Sequence, residues 1–164
     1  DVENARGENL TNGDLVGTKD GSAYGLVFDP QDENVFYFSN NDKHCIYKYD
    51  LRTKECACWA GQEGKSGYLD GPIGQAMFNK PGQMCVDSEG NIILTDTENH
   101  CIRKITMSTG YVSTLAGKPQ NSGYVNGSAE DAQFKKPLGI CIDNDDVMYI
   151  GDSENRAIRR LAVE

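Results

Sequence analysis

The apolar residues of this chain occur in short runs that are bounded by turn residues. Between residues 81 and 116 the runs cover 83–86, 91–95, 101–106 and 111–116, separated by turns rich in Asp, Asn, Ser and Gly. No helical spacing of apolar residues continues over ten residues, so the pattern predicts strands joined by tight turns. Several runs, such as "NIILT", are apolar on consecutive residues, which is typical of a sheet covered on both faces.

The same pattern occurs more than once along the chain. Shifting the sequence by 56 residues aligns a long series of identical residues. The matched pairs include Pro81 and Pro137, Cys85 and Cys141, Asp96 and Asp152, Asn99 and Asn155, and Arg103 and Arg159. An earlier copy fits the same shift after two extra residues in "DPQDEN" are allowed for. We therefore interpret the chain as three repeats, at about 22–78, 79–134 and 135–164, after an N-terminal segment, residues 1–21.

Each complete repeat predicts a sheet of four antiparallel strands, and such sheets in series are the blades of a β-propeller. The residues "PGQMCVDSEGNIILTDTENHCIRKI" followed by "VSTLAG" resemble the NHL repeat. The likeness runs from about residue 22 to 161 and is weaker in the first copy, where Asn40, Lys43 and Tyr47 replace Asp, Asn and Arg. We expect an all-β, NHL-type β-propeller with about three four-stranded blades.

Three blades do not close a ring, because propellers have roughly four to eight blades. The chain is then either a fragment or half of a six-bladed ring, with residues 1–21 a candidate for the outer strand that completes a blade. Both alternatives predict self-association or a missing remainder of the propeller. The long connections "SGYLDGPIGQAMFNK" and "SGYVNGSAEDAQFKK" resemble those of bacterial surface members of the family, which implies an extracellular or cell-surface location.

Charge and hydropathy narrow the choice of partners. The net charge of −9 opposes binding to a phosphate backbone, so no nucleic acid is expected, although some animal NHL proteins bind RNA. No apolar run is long enough to span a membrane.

Residues copied in successive repeats are most simply explained by packing or by turn geometry. Asp96 and Asn99, with their counterparts Asp152 and Asn155, follow the second strand of a repeat, where Asp accepts backbone N–H bonds and Asn tolerates a left-handed backbone. We predict a structural turn at these four residues. Cys85 and Cys141 are predicted to be core residues by the same reasoning.

Two sets of residues raise the question of a metal. His44 and His100, the two histidines of the chain, occupy equivalent turns, but the third repeat carries Arg156 at that position. Cys56 and Cys58 share one face of a strand, and no second pair of ligands has metal spacing. No cofactor is predicted, a Ca²⁺ or Zn²⁺ ion is a minor alternative, and any such ion would contact His44 and His100.

Alternating strand direction places the long connections and the histidine turns at one end of the blades. Loops held by a rigid scaffold often carry function, so this face is the candidate binding site. The candidate ligand-binding residues are Tyr68, Asp70, Tyr124, Asn126, His44, His100 and Arg156. For Tyr68 and Tyr124, which are copied between repeats, the favoured alternative is that they hold the long connections in place. We expect a non-catalytic binding or scaffold module for protein or carbohydrate. The alternatives are a metal-dependent lyase or hydrolase and, third, an RNA-binding module. No catalytic residue is predicted.

Overall fold

The computed structural model describes residues 22–163, and the strand expected within residues 1–21 lies outside them. The described part of the chain is built almost entirely from β-strands. The strands are β1 (Ala23–Asp29), β2 (Asp32–Asn40), β3 (Cys45–Asp50), β4 (Glu55–Gly61), β5 (Gly71–Pro72), β6 (Pro81–Val86), β7 (Ile92–Asp96), β8 (Cys101–Thr106), β9 (Tyr111–Ala116), β10 (Pro137–Ile142), β11 (Met148–Asp152) and β12 (Ala157–Leu161).

The strands form three antiparallel sheets in succession. The first has the order β1-β2-β3-β4, the second β5-β9-β8-β7-β6, and the third β10-β11-β12. The innermost strands β1, β6 and β10 pack side by side, so the sheets stand face to face like the blades of a propeller. We call them the first, middle and third blades.

The middle blade shows how closely the sequence pattern specifies the strands. Strands β8 and β9 have the predicted bounds, whereas β6 begins two residues earlier than predicted because Pro81 pairs with Asp96 beyond a register shift. The two-residue strand β5 was not predicted, since it forms only when the connection crosses β9. The predicted turn after β7 is a short 3-10 helix, Thr97–Asn99, and the third blade repeats it at Ser153–Asn155.

Two apolar layers join the blades. One lies between the first and middle blades and includes Ile46 and Leu94, and the other lies between the middle and third blades and includes Ile102 and Ile150. A phenylalanine from each long connection, Phe78 or Phe134, completes these layers.

Buried hydroxyl groups add hydrogen bonds between blades at one repeat position. The Ser39 hydroxyl donates to the Gly82 carbonyl at 2.6 Å, and the Thr95 hydroxyl donates to the Leu138 carbonyl at 2.8 Å.

The prediction for Cys141 is wrong. Cys85 is buried, but Cys141 at the equivalent position is exposed. Ile158 shows the same effect: it is 76% exposed, whereas its equivalent Ile102 is fully buried. Both residues are exposed because no described element packs against that side of the third blade.

The described residues contain no helix that is long and apolar enough to cross a membrane.

Candidate binding face at the connections between blades

Hydrogen bonds place the long connections and the short turns at the same end of the blades. Gly64 N–H donates to the Lys43 carbonyl at 2.8 Å, and Gln120 N–H donates to the Asn99 carbonyl at 2.8 Å. We call this surface the upper face. It consists of the connections 61–80 and 117–136 and the turns 41–44, 97–100 and 153–156.

A buried guanidinium group holds the first connection onto the middle blade. Arg103 lies on β8, is fully buried, and donates to the carbonyls of Leu69 and Met77 at 2.9 Å each. It also forms ion pairs with Asp96 at 2.7 Å and with Asp70 at 2.9 Å. Leu69 and Met77 pair with each other in an isolated β-bridge, and one side chain of β8 therefore fixes both to the middle blade. We call this arrangement the arginine clamp.

Aromatic rings complete the arginine clamp of the middle blade. The guanidinium carbon lies 4.7 Å from the Tyr68 ring centroid and 5.0 Å from that of Phe78. The Tyr68 hydroxyl contacts the Thr114 hydroxyl of β9, and burial raises the tyrosine's pKa. Tyr68 and Asp70, two predicted ligand-binding residues, thus have intramolecular partners.

The third blade repeats the clamp with one substitution. Arg159 forms an ion pair with Asp152 at 2.7 Å and donates to the carbonyls of Gln133 and Val125. Asn126 replaces Asp70 and accepts a hydrogen bond from Arg159 at 2.8 Å. The Tyr124 ring lies 5.0 Å from the guanidinium carbon of Arg159. Tyr124 is nevertheless 61% exposed, because no described strand follows β12 to supply the counterpart of Thr114.

The predicted turn residues lie at the base of each clamp. The Asp96 carboxylate accepts bonds from the Asn79 backbone N–H at 2.9 Å, from the Asn99 amide and from Arg103. Burial raises the pKa of Asp96 to about 6, although Arg103 and the other donors favour the charged form. Asp152 accepts the equivalent bonds from Lys135 N–H, Asn155 and Arg159. Both carboxylates are buried and have donors on both oxygens, so they serve the fold at these contacts.

The two histidines and Arg156 share one backbone geometry. Each ends its turn in the left-handed region, with φ of 57° at His44, 55° at His100 and 52° at Arg156. The Nδ1 atom of His44 accepts the Lys80 backbone N–H at 3.0 Å, and that of His100 accepts the Lys136 N–H at 3.0 Å. Burial lowers the pKa of both imidazoles, so they are neutral at pH 7 and carry their hydrogen on Nε2.

Two lysines lie next to the histidines, because Lys80 and Lys136 donate their backbone N–H groups to His44 and His100. Lys136 forms ion pairs with Glu98 at 3.5 Å and with Glu154 at 3.2 Å, which links the middle and third blades. The side chain of Lys80 is exposed and pairs with no described residue, and the same is true of Arg156. We call these five residues the rim: His44, Lys80, His100, Lys136 and Arg156.

Sequence reasoning missed the arginine clamp and the two lysines of the rim. The signal for the clamp was present, because a charged residue recurs within an apolar strand at Arg103 and Arg159, seven residues after a recurring Asp. A copied charge in an apolar strand indicates a buried partner. Nothing in the sequence showed that Lys80 and Lys136 would meet the histidines.

Metal ligands are not assembled in the part of the chain that the structure describes. Residues 22–163 contain no group of three His, Cys, Asp or Glu side chains placed to hold an ion. Cys56 and Cys58 lie on the same side of β4, as predicted, and pack with Cys45 of β3 in an aromatic cluster on the first blade.

Comparisons with known proteins agree with this architecture. The NHL repeat model matches residues 78–105. NHL repeat-containing protein 2 of Gallus gallus is 30% identical over 152 residues, which cover 92% of this chain and 19% of that protein.

Two solved structures from Bacteroides thetaiotaomicron resemble the chain at 33% identity. A structural genomics protein of unknown function gives a TM-score of 0.81, with 90% of this chain and 36% of that chain covered. An auxiliary nutrient binding protein gives a TM-score of 0.71, with 82% of this chain and 36% of that chain covered.

The chain spans less than a fifth of the length of the curated relatives it matches. It belongs to the NHL-repeat family and forms part of an NHL-type β-propeller.

Proposed function

We propose that the chain is part of a non-catalytic binding module, outside the cell or on its surface, that recognises protein or carbohydrate through the rim of the upper face. One observation carries this proposal. The terminal guanidinium nitrogens of Arg103 and Arg159 are occupied by internal contacts, whereas Lys80, Arg156 and the Nε2 atoms of both histidines have no partner among the described residues.

The rim offers hydrogen-bond donors at equivalent positions of successive blades. The histidine rings are held through Nδ1, so their Nε2–H groups keep one orientation, and Arg156 adds a guanidinium group. A ligand that meets these donors must be rich in acceptors, as the hydroxyl and carboxylate oxygens of sugars and the carbonyls of peptides are. Donors that are already ordered bind with a smaller entropic cost.

The architecture supports binding in a second way. The arginine clamp fixes both long connections by their backbone carbonyls, so the upper face is preformed and does not require folding on contact. A solved relative with 33% identity is described as an auxiliary nutrient binding protein, which is consistent with a binding role.

The test compares two double variants with the same change of charge. Lys80→Ala/Arg156→Ala removes two cations from the rim, and Lys48→Ala/Arg160→Ala removes two exposed cations from strands β3 and β12. Each labelled protein is applied to an array of polysaccharides and oligosaccharides and to an array of immobilised peptides.

We expect the wild type and the Lys48/Arg160 variant to bind the same probes, and the Lys80/Arg156 variant to lose at least tenfold in affinity. Equal losses in the two variants, or no bound probe on either array, would overturn the proposal. Adding a chelator to the binding buffer should not change the result, and loss of binding with the chelator would point instead to a metal-dependent site.

A further inference from the structure

A cavity lies at the end of the blades opposite the upper face, between the first and middle blades. Its volume is about 570 Å³, within the range of about 300–1,000 Å³ that is usual for ligand pockets. The β1–β2 turn forms one wall, and the β6–β7 and β8–β9 turns of the middle blade form the other. We call it the lower cavity. Six of its lining residues are Pro30, Gln31, Glu89, Asn91, Met107 and Ser108.

The first wall exists because the first blade departs from the repeat. The two extra residues in "DPQDEN" lengthen its hairpin, so β1 and β2 have seven and nine residues, whereas β6 and β7 have six and five. Asp29 pairs with Asp32 across the two-residue tip of this hairpin. At the tip Pro30 faces Gly90 of the middle blade, where an added Cβ would lie 3.2 Å from the Pro30 Cγ.

The next junction, between the middle and third blades, is closed by a side chain. Asp146 occupies the repeat position of Gly90 and accepts the Ser88 backbone N–H at 2.9 Å as well as the Ser88 hydroxyl. The cavity at this junction is about 190 Å³, below the usual range for ligand pockets. The lower cavity is therefore specific to one junction, whereas the shared architecture repeats at both.

A buried amide in the lining is also specific to the middle blade. Asn91 is 6% exposed, and the other two blades have Val35 and Val147 at its repeat position. Its Oδ1 atom accepts the Met107 backbone N–H at 3.1 Å, which joins the β6–β7 and β8–β9 turns. Asn91 thus holds the middle-blade wall of the lower cavity in one shape.

The lining offers polar groups that both donate and accept. The side chains of Gln31 and Ser108 have no hydrogen-bond partner among the described residues, and Glu89 accepts only a long contact from Asn91 at 3.5 Å. A ligand hydroxyl both donates and accepts, so it can bond to an amide, a hydroxyl and a carboxylate alike. These three side chains therefore match a ligand that is rich in hydroxyl groups.

The rest of the lining narrows the ligand class. Pro30 and Met107 supply apolar surface against which the C–H groups of a sugar ring can pack. The carboxylates of Asp29 and Glu89, with no cation in the described lining, oppose an anionic ligand. The lining consists of turns and paired strand ends, so it offers no free strand edge to a peptide backbone.

We propose that the lower cavity binds a neutral sugar unit of an oligosaccharide. Gln31, Glu89 and Ser108 bond to its hydroxyl groups, and Pro30 and Met107 pack against its ring. This site lies at the opposite end of the blades from the rim and does not depend on the function proposed for the rim.

The methyl group of Met107 reports binding at this site. The protein is labelled with ¹³C-methyl methionine, its signals are assigned with Met→Leu variants, and it is titrated with cellohexaose, mannohexaose and xylohexaose. Met77 in the first long connection and Met148 between the middle and third blades serve as internal references. We expect at least one sugar to shift the Met107 signal saturably while the other two signals stay unchanged.

Two double variants with the same chemical change test the lining. Gln31→Ala/Glu89→Ala removes one amide and one carboxylate from the lower cavity, and Asn144→Ala/Asp145→Ala removes the same groups from the exposed β10–β11 turn. The first variant should lose about tenfold in affinity, and the control should bind as the wild type does. Ser108→Trp fills the cavity from an exposed turn and should abolish the shift. Circular dichroism verifies that each variant is folded.

Several outcomes would overturn the proposal. They are a Met107 signal that no sugar shifts, an equal response in the lining variant and its control, and a shift confined to Met77, which would place sugar binding on the upper face. A response of Met107 to spermine but to no sugar would also overturn it, because the cavity would then be a cation site. The Lys80→Ala/Arg156→Ala variant should keep the Met107 response, so this proposal and that for the rim fail separately.

Discussion

The middle blade and the blades on either side of it share one repeat, but they differ in what covers them. Ile46 of the first blade and Ile102 of the middle blade are fully buried, whereas Ile158 at the equivalent position of the third blade is 76% exposed. On the other side of the blades Met84 is 7% exposed, whereas its counterpart Leu26 in the first blade is 61% exposed. The repeat thus specifies the strand, and the neighbouring blade decides whether its apolar residues are buried.

A second difference concerns the arginine clamp. The middle and third blades hold a long connection through Arg103 and Arg159, but the first blade has Tyr47 at that position. Tyr47 is buried and donates its hydroxyl to Glu63. The middle and third blades therefore use an arginine to donate to the carbonyls of a long connection. The first blade has an uncharged tyrosine at the same repeat position.

The largest effect is expected from Arg103→Met. This change leaves Asp96 and Asp70 without their cation and takes one of the donors from each of the Leu69 and Met77 carbonyls, and breaking such a buried pair costs about 3–5 kcal/mol. The equivalent change in the first blade, Tyr47→Phe, removes one hydroxyl hydrogen bond and should cost about 1 kcal/mol. Unfolding in urea, followed by circular dichroism, gives both free energies.

The double variant Asp96→Asn/Arg103→Met separates the cost of an unpaired charge from the loss of packing. It should be more stable than Arg103→Met alone, because no uncompensated carboxylate remains at position 96. Equal losses for Arg103→Met and Tyr47→Phe would remove the distinction between the clamped blades and the first blade.

Ile102→Ala and Ile158→Ala test the effect of a neighbouring blade at one repeat position. Truncation of the buried Ile102 should lower the free energy of unfolding by about 2–5 kcal/mol, whereas truncation of the exposed Ile158 should change it by less than about 0.5 kcal/mol. The measurement is again the free energy of unfolding, made at a protein concentration where sedimentation shows a monomer. A large cost for Ile158→Ala in the monomer would mean that the side chain is covered there.

Much of the fold could be predicted because the determining signal is local and repeated. The alternation of apolar runs and turns gave β8 and β9 with their bounds, and the repeat gave the propeller. The prediction for Cys141 failed because burial depends on the next blade, which no pattern within one repeat encodes. The short strand β5 was missed for a similar reason, since its partner β9 is distant in sequence.

The candidate site was predictable only in part. The sequence placed the histidine turns and the long connections on one face, as the hydrogen bonds now show. The copied tyrosines and the recurring Arg103 and Arg159 were visible in the sequence. Their contact was not, because it joins residues about thirty positions apart. The role of the seven candidate residues in binding a ligand stays a prediction.

A smaller effect is expected at the hydroxyl contacts between blades. Thr95→Val keeps the shape of the side chain but removes the donor to the Leu138 carbonyl, and Ser39→Ala removes the donor to the Gly82 carbonyl. Each change should cost about 1–2 kcal/mol because a buried carbonyl loses its partner. The third blade has Gly151 at this position and thus provides an internal comparison. Because no described acceptor lies beyond it, Gly151→Ser should not raise the free energy of unfolding measured in urea.

The smallest effect concerns the pH dependence of the rim. The folded His100 has a lowered pKa, so below the ordinary histidine value of about 6.5 the unfolded chain binds a proton more readily than the folded one. Its contribution to stability is fully present above that pH and is lost as the pH falls through it, because a protonated Nδ1 cannot accept the Lys136 N–H.

His100→Asn provides the matched variant for this effect. Asn accepts the same left-handed backbone, can offer an oxygen to the Lys136 N–H, and does not titrate. The wild type should therefore lose more stability than the variant between pH 7.5 and pH 5. The raised pKa of Asp96 acts in the opposite direction, since the folded state then binds the proton more tightly, but it is present in both proteins and cancels in the difference. Parallel pH profiles for the two proteins would show that the imidazole does not serve as an acceptor in the folded chain.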